Sequence, residues 1–149
     1  IHATGNFGKE WMPKRVKDNG VDYESVPALD IREYIYNMPT VMAAADVIIG
    51  RAGSATCNEI AAAGTPCILI PSPNVTNNHQ EKNARVLEEG GGAMVVLEKD
   101  CSSEKMYELV TGLLADEARR EEMSRKLHTM VHLNSTERIC DIVESLSKR

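Results

Sequence analysis

The sequence is poor in aromatic residues, and this scarcity limits how its core can be built. Phenylalanine, tyrosine and tryptophan make up 4% of the 149 residues, while hydrophobic residues as a whole make up 42%. The core must therefore come from Ala, Val, Ile, Leu and Met side chains. A chain of this length is long enough to form a single domain around such a core.

The chain also lacks an excess of positive charge. It carries 17 Lys and Arg against 22 Asp and Glu, which gives a net charge of −5 at pH 7. Sequence-independent binding to nucleic acid depends on clustered Lys and Arg, so nucleic acid is not an expected partner. A small phosphate ligand stays compatible with this charge, because backbone N–H groups can hold it.

Signals for a membrane span, a signal peptide and a metal site are absent as well. No apolar run approaches the ~20 residues that a membrane helix needs. The cysteines form no C-x-x-C pair, and we expect all of them to be buried thiols of a protein from a reducing compartment; they are Cys57, Cys67, Cys101 and Cys140. His128 and His132 are four residues apart, but no third ligand is nearby, so we predict a surface pair. We therefore predict no metal and no cofactor.

Short apolar runs alternate with longer amphipathic segments along the chain. The patterns predict strands at residues 1–3, 26–29, 46–50, 67–70 and 93–97. They predict helices at residues 9–17, 39–45, 56–63, 77–89, 103–114, 116–131 and 135–146. Ser102, Asp116 and Asn134 are the expected caps of the last three helices. This alternation indicates an α/β fold with a parallel sheet and helices on both faces.

A turn of small residues follows the predicted strand 46–50 and opens the next helix. Its sequence is R-A-G-S-A-T at residues 51–56. Small residues let a ligand approach the backbone, and a helix start offers free N–H groups to a diphosphate. The alternative is an ordinary strand–helix turn in which Thr56 and Glu59 form a capping box. The turn matches neither G-x-x-x-x-G-K-[ST] nor G-x-G-x-x-G, so neither motif's nucleotide site is indicated.

A polar segment follows the predicted strand 67–70. It reads PSPNVTNNHQEKN at residues 71–83. Amides and a neutral imidazole donate and accept hydrogen bonds, which suits the hydroxyl groups of a sugar. The alternative is a solvated loop in which Asn77 or Asn78 caps the following helix.

These two segments together resemble the MurG-type N-acetylglucosaminyltransferases of peptidoglycan synthesis. The strings ADVIIGRAGSATCNEIAAAGTPCILIPSP and NHQEKNARVLEEGGGAMVV carry the resemblance, because a turn, a Glu and an H-Q-x-x-N-A motif follow in order. The resemblance covers nearly the whole chain but only the C-terminal half of such an enzyme. It implies a Rossmann-like donor-binding domain at residues 1–149 within a GT-B architecture of two domains that face a cleft. The start at Ile1 rather than Met suggests an excised piece, with the acceptor domain and the first strand of this domain missing.

The resemblance also implies an activity. Enzymes of this type transfer GlcNAc from UDP-GlcNAc to lipid I with inversion, giving lipid II at the inner face of the cell membrane. The expected partners are therefore UDP-GlcNAc and, through the missing domain, lipid I and the membrane periphery. No D-x-D motif is present, which fits a mode without metal. The general base is expected in the missing domain, so we expect this chain alone to be inactive.

The base and the ribose of the donor are the first parts whose contacts the resemblance implies. By position, the backbone of Ile35 would read uracil, with Tyr34 and Met38 near the base. Glu59 would accept hydrogen bonds from the ribose hydroxyls.

The remaining implied contacts concern the diphosphate and the sugar. Ser54, Ala55 and Thr56 would lie on the diphosphate. His79 and Gln80 would face the hydroxyls of GlcNAc. Two further motif residues would bind the donor or support the loop, and these are Arg51 and Asn83.

The sequence departs from this family in several places. The upstream segment G-G-S-x-G-A is missing, and Tyr36-Asn37 replaces an acidic pair. His79 stands where some relatives have a second glutamine. Alternative functions are another UDP-sugar enzyme on the same scaffold, namely a glycolipid glycosyltransferase, a UDP-GlcNAc epimerase or a dolichol-pathway subunit. A non-catalytic α/β module that binds a nucleotide or a partner is the alternative from a different class.

Overall fold

The computed structural model describes residues 1–131 and 133–147. It divides into two compact units, Ile1–Met38 and Pro39–Arg149. His132 lies outside the described residues, and so does the predicted pairing of His128 with it. That both units belong to one donor-binding domain remains a prediction.

The first unit is built around a pair of parallel strands. Strand β1 (His2–Ala3) pairs with β2 (Ile31–Arg32), and helices α1 (Gly5–Gly8) and α2 (Trp11–Asp18) lie between them in the chain. The predicted strand at residues 26–29 is wrong. The chain turns there, because Leu29 N–H donates to the Val26 carbonyl and the intervening Pro27 has no N–H for a ladder. Strand β2 begins at Ile31, two residues after the end of the predicted strand.

The second unit holds a three-stranded parallel sheet in the order β3-β4-β5. Its strands are β3 (Ile48–Gly50), β4 (Cys67–Leu69) and β5 (Ala93–Val95). Helix α3 (Met38–Ala44) precedes β3, α4 (Ser54–Ala63) connects β3 to β4, and α5 (His79–Glu89) connects β4 to β5. Three helices follow, which are α6 (Ser103–Ala115), α7 (Glu117–Thr129) and α8 (Ser135–Ser147). All of these elements were predicted, with bounds shifted by up to two residues.

The central strand β4 explains why this unit holds together. Cys67, Ile68 and Leu69 are all fully buried, as expected for a parallel strand that is covered on both faces. On one face Ile68 packs in an apolar cluster with Val96 and residues of the last helices; its other members are Leu113 of α6 and Met123 of α7. Cys67 points to the opposite face, because side chains alternate along a strand. The α/β prediction of parallel strands with helices is confirmed in this unit.

The four cysteines differ in their environments. Cys57 and Cys67 are buried, and burial raises the pKa of the Cys57 thiol and raises that of Cys67 to about 12. Both are therefore protonated small core residues, as predicted. Cys101 and Cys140 are exposed, so the prediction of burial is wrong for them. Cys101 follows a short 3-10 turn and Cys140 lies on α8, which buries no residue within the described part of the chain.

Helix ends are stabilised by the residues that the sequence indicated for α6 and α7. The side chain of Ser102 accepts from the Lys105 N–H, and that of Asp116 accepts from the Arg119 N–H. These bonds satisfy donors that the first turn of a helix leaves open. No helix in the described residues is both long enough and apolar enough to cross a membrane.

The last turns of α7 pack against glycines at the ends of other helices. A β-carbon added to Gly92 would lie 2.5 Å from Cδ2 of the fully buried Leu127. A β-carbon on Gly64, which closes α4 with a φ of +67°, would lie 2.2 Å from Nε2 of His128. These glycines therefore let α7 pack closely against the end of α4 and against the turn before β5.

We predict that Gly92→Ala destabilises the chain by about 1–3 kcal/mol, because the buried Leu127 cannot move aside without strain. Gly112→Ala is the matched control. Gly112 lies inside α6 with nothing within 4 Å of its added β-carbon, so alanine should stabilise the helix by about 0.5–1 kcal/mol. Urea unfolding of both variants measures the effects. A Gly92→Ala variant as stable as the wild type would contradict the described packing.

Candidate functional site

The start of α4 lies after the carboxyl end of β3, and its features suit the binding of an anion. Its N-cap is Gly53, in extended conformation, and no side chain caps the helix. The first backbone bond runs from the Cys57 N–H to the Gly53 carbonyl, 2.9 Å apart. Among the described residues, no acceptor faces the N–H groups of Ser54, Ala55 and Thr56. These three groups are therefore available to a ligand.

The electrostatics of this helix start favour a negatively charged group. The first turn of α4 contains no acidic residue. Helices α6 and α7 instead carry Glu104 and Glu117 in their first turns, as well as capping side chains. An open helix N-terminus holds a partial positive charge and donates N–H groups to phosphate. The turn at residues 51–56 therefore has features that suit a phosphate or diphosphate, and binding there stays a prediction.

The capping box considered for Thr56 and Glu59 is wrong. The helix begins at Ser54, two residues before the predicted start, so Thr56 is its third residue and not its N-cap. Because Gly53 adopts the extended N-cap conformation, the small residues after it enter the helix directly. Glu59 is exposed on α4 and its carboxylate has no partner among the described residues. Its oxygens are free to accept hydrogen bonds.

The start of α5 is set by two asparagines. Asn77 and Asn78 have φ values of 53° and 51°, a left-handed conformation that asparagine tolerates better than most residues. The helix consequently begins at His79, after a 3-10 turn, rather than at residue 77. Asn78 occupies the N-cap position, but its amide donates to Glu81 Oε2 at 2.6 Å instead of capping the backbone. This bond, with help from Arg85, lowers the pKa of the Glu81 carboxyl group.

Side chains of α5 hold the turn at residues 51–56 by hydrogen bonds to the backbone of Ala52. Gln80 Oε1 accepts from the Ala52 N–H at 3.4 Å and from the Ser72 N–H at 2.9 Å. Asn83 Nδ2 donates to the Ala52 carbonyl at 3.1 Å. Ala52 is fully buried, so its two backbone groups depend on these partners. We call these bonds of Gln80 and Asn83 to Ala52 the Ala52 clamp.

Arg51 connects the ends of three neighbouring strands. It directly follows β3, and its Nη1 donates to the Ile70 carbonyl at 3.1 Å and to Glu98 Oε2 at 2.5 Å. Ile70 follows β4 and Glu98 begins the 3-10 turn after β5. Glu98 stands in no motif of the sequence and was not predicted to belong to the site. Its position just past a predicted strand, at the same sheet edge as the turn, was the signal that could have found it.

His79 lies at the first position of α5, with its ring exposed. Its Nδ1 is 2.8 Å from the Thr76 carbonyl oxygen, which can only accept, so Nδ1 carries the proton in that bond. In the neutral ring Nε2 is then an acceptor. Among the described residues, His79 forms no hydrogen bond with the turn at residues 51–56. The side chains of Arg51, Gln80 and Asn83 are brought together around that turn.

The residues predicted near the base lie in or at the end of the first unit. Ile35 is buried, with 6% of its surface exposed, while Met38 is half-buried at the start of α3. Tyr34 is exposed, and its ring meets that of Tyr36 edge-on with centroids 5.0 Å apart. Tyr34 therefore presents an accessible aromatic surface.

An open groove of about 500 Å³ lies at the amino ends of β3 and β4. Residues before these strands line it together with α7; they include Asp46, Thr65, Arg120 and Ser124. None of the predicted donor-binding residues is among its lining residues. Within the described part of the chain, no group of three or more His, Cys, Asp or Glu could hold a metal ion.

The chain matches the description "Glycosyltransferase family 28 C-terminal domain" over residues 1–141, and it belongs to this family. Similar relatives are called UDP-N-acetylglucosamine--N-acetylmuramyl-(pentapeptide) pyrophosphoryl-undecaprenol N-acetylglucosamine transferase. The one from Acetivibrio thermocellus is 40% identical over 148 residues, and the one from Caldanaerobacter subterraneus is 42% identical over 147 residues. Both alignments cover 99% of this chain, which spans 39% of each relative's length.

Solved structures agree with this assignment. MurG of Acinetobacter baumannii superposes with a TM-score of 0.75 at 27% identity, covering 89% of this chain and 39% of that one. The glycosyltransferase VinC gives a TM-score of 0.66 at 16% identity over 91% of this chain and 33% of its own, which shows a shared fold alone. The predicted fold class, the α/β domain of a GT-B glycosyltransferase, is confirmed.

We predict that Gln80→Ala lowers the free energy of unfolding by about 1–3 kcal/mol, because the buried Ala52 N–H loses its acceptor. Gln80→Glu is the matched variant, since it keeps an oxygen at the same position near the start of α5, where a negative charge is favourable. It should recover most of the loss. Denaturant unfolding measures both variants. Equal losses in the two would show that the oxygen of Gln80 does not hold the turn.

Proposed function

We propose that this chain is the donor-binding part of an inverting glycosyltransferase that moves GlcNAc from UDP-GlcNAc to lipid I, giving lipid II. The observation that carries the proposal is the open start of α4, where the N–H groups of Ser54, Ala55 and Thr56 lack acceptors within the described chain. The names of the similar relatives supply the donor sugar and the acceptor.

The chemistry of this transfer depends on stabilising the departing UDP. Negative charge grows on the diphosphate as the bond to the sugar breaks. N–H groups fixed at a helix start can stabilise that charge without rearranging, which is the most effective form of electrostatic catalysis. The Ala52 clamp supports this role, because it fixes the turn before the helix start.

We assign the other donor contacts as the family resemblance suggests. Glu59 accepts from the ribose hydroxyls. This is supported by its carboxylate on α4, which has no partner within the part of the chain that the structure describes. His79 contacts the GlcNAc hydroxyls through its free Nε2. The oxygen of Gln80 is engaged with the backbone, so its Nε2 donor is the part left for the sugar. Ile35, with Tyr34 and Met38, receives the uracil.

The proposed acceptor and the proposed contact with the membrane are based on the names of the longer relatives. Their names describe a pyrophosphoryl-undecaprenol, which is a lipid-linked acceptor. We infer that a further domain of a longer protein binds that acceptor and supplies the general base. The enzyme would then work in the cytoplasm, at the inner face of the membrane, with only peripheral contact to it.

The proposal is tested by calorimetric titration of the chain with UDP, UDP-GlcNAc and UDP-glucose. We expect UDP and UDP-GlcNAc to bind, and UDP-glucose to bind more weakly than UDP-GlcNAc, because it lacks the acetamido group. We also expect no transfer to lipid I by these 149 residues alone, because they span 39% of the length of the relatives named for that transfer. Absence of binding by UDP and UDP-GlcNAc would refute the assignment of a donor site.

We predict that Glu59→Ala weakens UDP binding about ten- to hundredfold, since hydrogen bonds to a charged group are worth roughly 1.5–3 kcal/mol. Stability should change little, because Glu59 is exposed and does not cap α4. Asn58→Ala, at an exposed neighbouring position on the same helix, is the control and should bind UDP normally. Calorimetry and thermal melting measure the two properties. Loss of stability with unchanged UDP affinity would assign Glu59 a structural role instead.

A further inference from the structure

We propose that Glu98 is a positioning residue for the donor site. Its carboxylate holds the guanidinium of Arg51, and through Arg51 it fixes the turn that leads into α4. The inference rests on the proposed function, because it concerns the same turn, and it adds a residue to which no role has been assigned.

The geometry gives Arg51 two anchors at the carboxyl edge of the sheet. Nη1 lies 3.1 Å from the Ile70 carbonyl oxygen and 2.5 Å from Glu98 Oε2. The Glu98 backbone is itself held in a 3-10 turn, in which the Cys101 N–H donates to its carbonyl at 3.3 Å. One side chain therefore ties the end of β3 to the ends of β4 and β5.

The turn needs such an anchor because the sheet ladder stops before it. The last hydrogen bond of the ladder between β3 and β4 runs from the Ile70 N–H to the Gly50 carbonyl at 2.8 Å. The next two residues, Arg51 and Ala52, belong to neither a strand nor a helix, so no ladder or helical hydrogen bond fixes their backbone. The Ala52 clamp holds the second of these residues. Among the described residues, Arg51 makes hydrogen bonds only through its side chain.

The exposure of the Arg51–Glu98 ion pair determines which property of the protein its loss should change most. The side chains of Arg51 and Glu98 are 54% and 43% exposed, and exposed ion pairs contribute little to stability. A small displacement of a binding group, in contrast, strongly weakens the function of a preorganised site. Loss of Glu98 should therefore change ligand affinity and the conformation of the turn more than it changes melting.

The test compares Glu98→Gln, Arg51→Gln and the double variant in the whole chain. Glu122→Gln is the matched control, because it breaks an exposed ion pair with Arg125 on α7. UDP affinity is measured by calorimetry and the melting midpoint by circular dichroism. The backbone amide signals of Ala52 and Gly53 are measured by ¹⁵N NMR.

We expect Glu98→Gln to weaken UDP binding about three- to tenfold. Its melting midpoint should fall by less than about 3 °C. Adding Glu98→Gln to Arg51→Gln should cause no further loss, because Glu98 acts through Arg51. Glu122→Gln should bind UDP like the wild type. Unchanged UDP affinity in Glu98→Gln, or losses that add in the double variant, would overturn the proposal.

The amide signals separate this inference from the proposed function. If the wild-type chain binds no UDP, the proposed function fails, and the signals of Ala52 and Gly53 decide on Glu98 alone. Signals that move in Glu98→Gln as they do in Arg51→Gln support its positioning role. Signals that stay in place in Glu98→Gln overturn it.

Discussion

The peptide groups of Ala52 are the point on which the rest of the site depends. Ala52 is fully buried two residues after the end of β3, and its N–H and carbonyl bond to side chains and not to a neighbouring strand. Gln80 and Asn83, three residues apart on one face of α5, satisfy both groups. Helix α5, which follows β4, thus fixes the turn that follows β3. This contact also determines the position of the open start of α4.

The parallel sheet makes this arrangement possible. Because β3, β4 and β5 run in the same direction, the segments that follow them emerge at one edge. Arg51, the Ser72 backbone and Glu98 meet there although each belongs to a different connection. The buried strand β4 and the cluster around Ile68 give the edge a rigid base. Binding groups on loops require such a base if they are to stay preorganised.

The sequence predicted the elements of this unit well and the contacts among them poorly. A run of buried β-branched residues predicts a strand, and a glycine such as Gly64 predicts the end of a helix. Both signals are local in the sequence, so they locate β3, β4 and α4. Thr56 was mistaken for an N-cap because T-x-x-E occurs inside helices as well as at their starts. Gln80 and Arg51 bind partners 28 and 47 residues away, respectively, and only the folded chain decides such pairs. The family resemblance named Gln80 and Asn83, and it left open that Asn83 supports the loop, but it gave Gln80 only as a contact to the sugar.

The uncapped start of α4 also has a thermodynamic consequence. An anion that occupies the N–H groups of Ser54, Ala55 and Thr56 binds only when the helix exists, so it binds the folded chain and not the unfolded one. Mass action then couples folding to the concentration of that anion, with a stabilisation of about 2.7 kcal/mol when the anion is present at 100 times its dissociation constant. The resistance of this chain to heat then rises with the concentration of any anion that binds at this helix start.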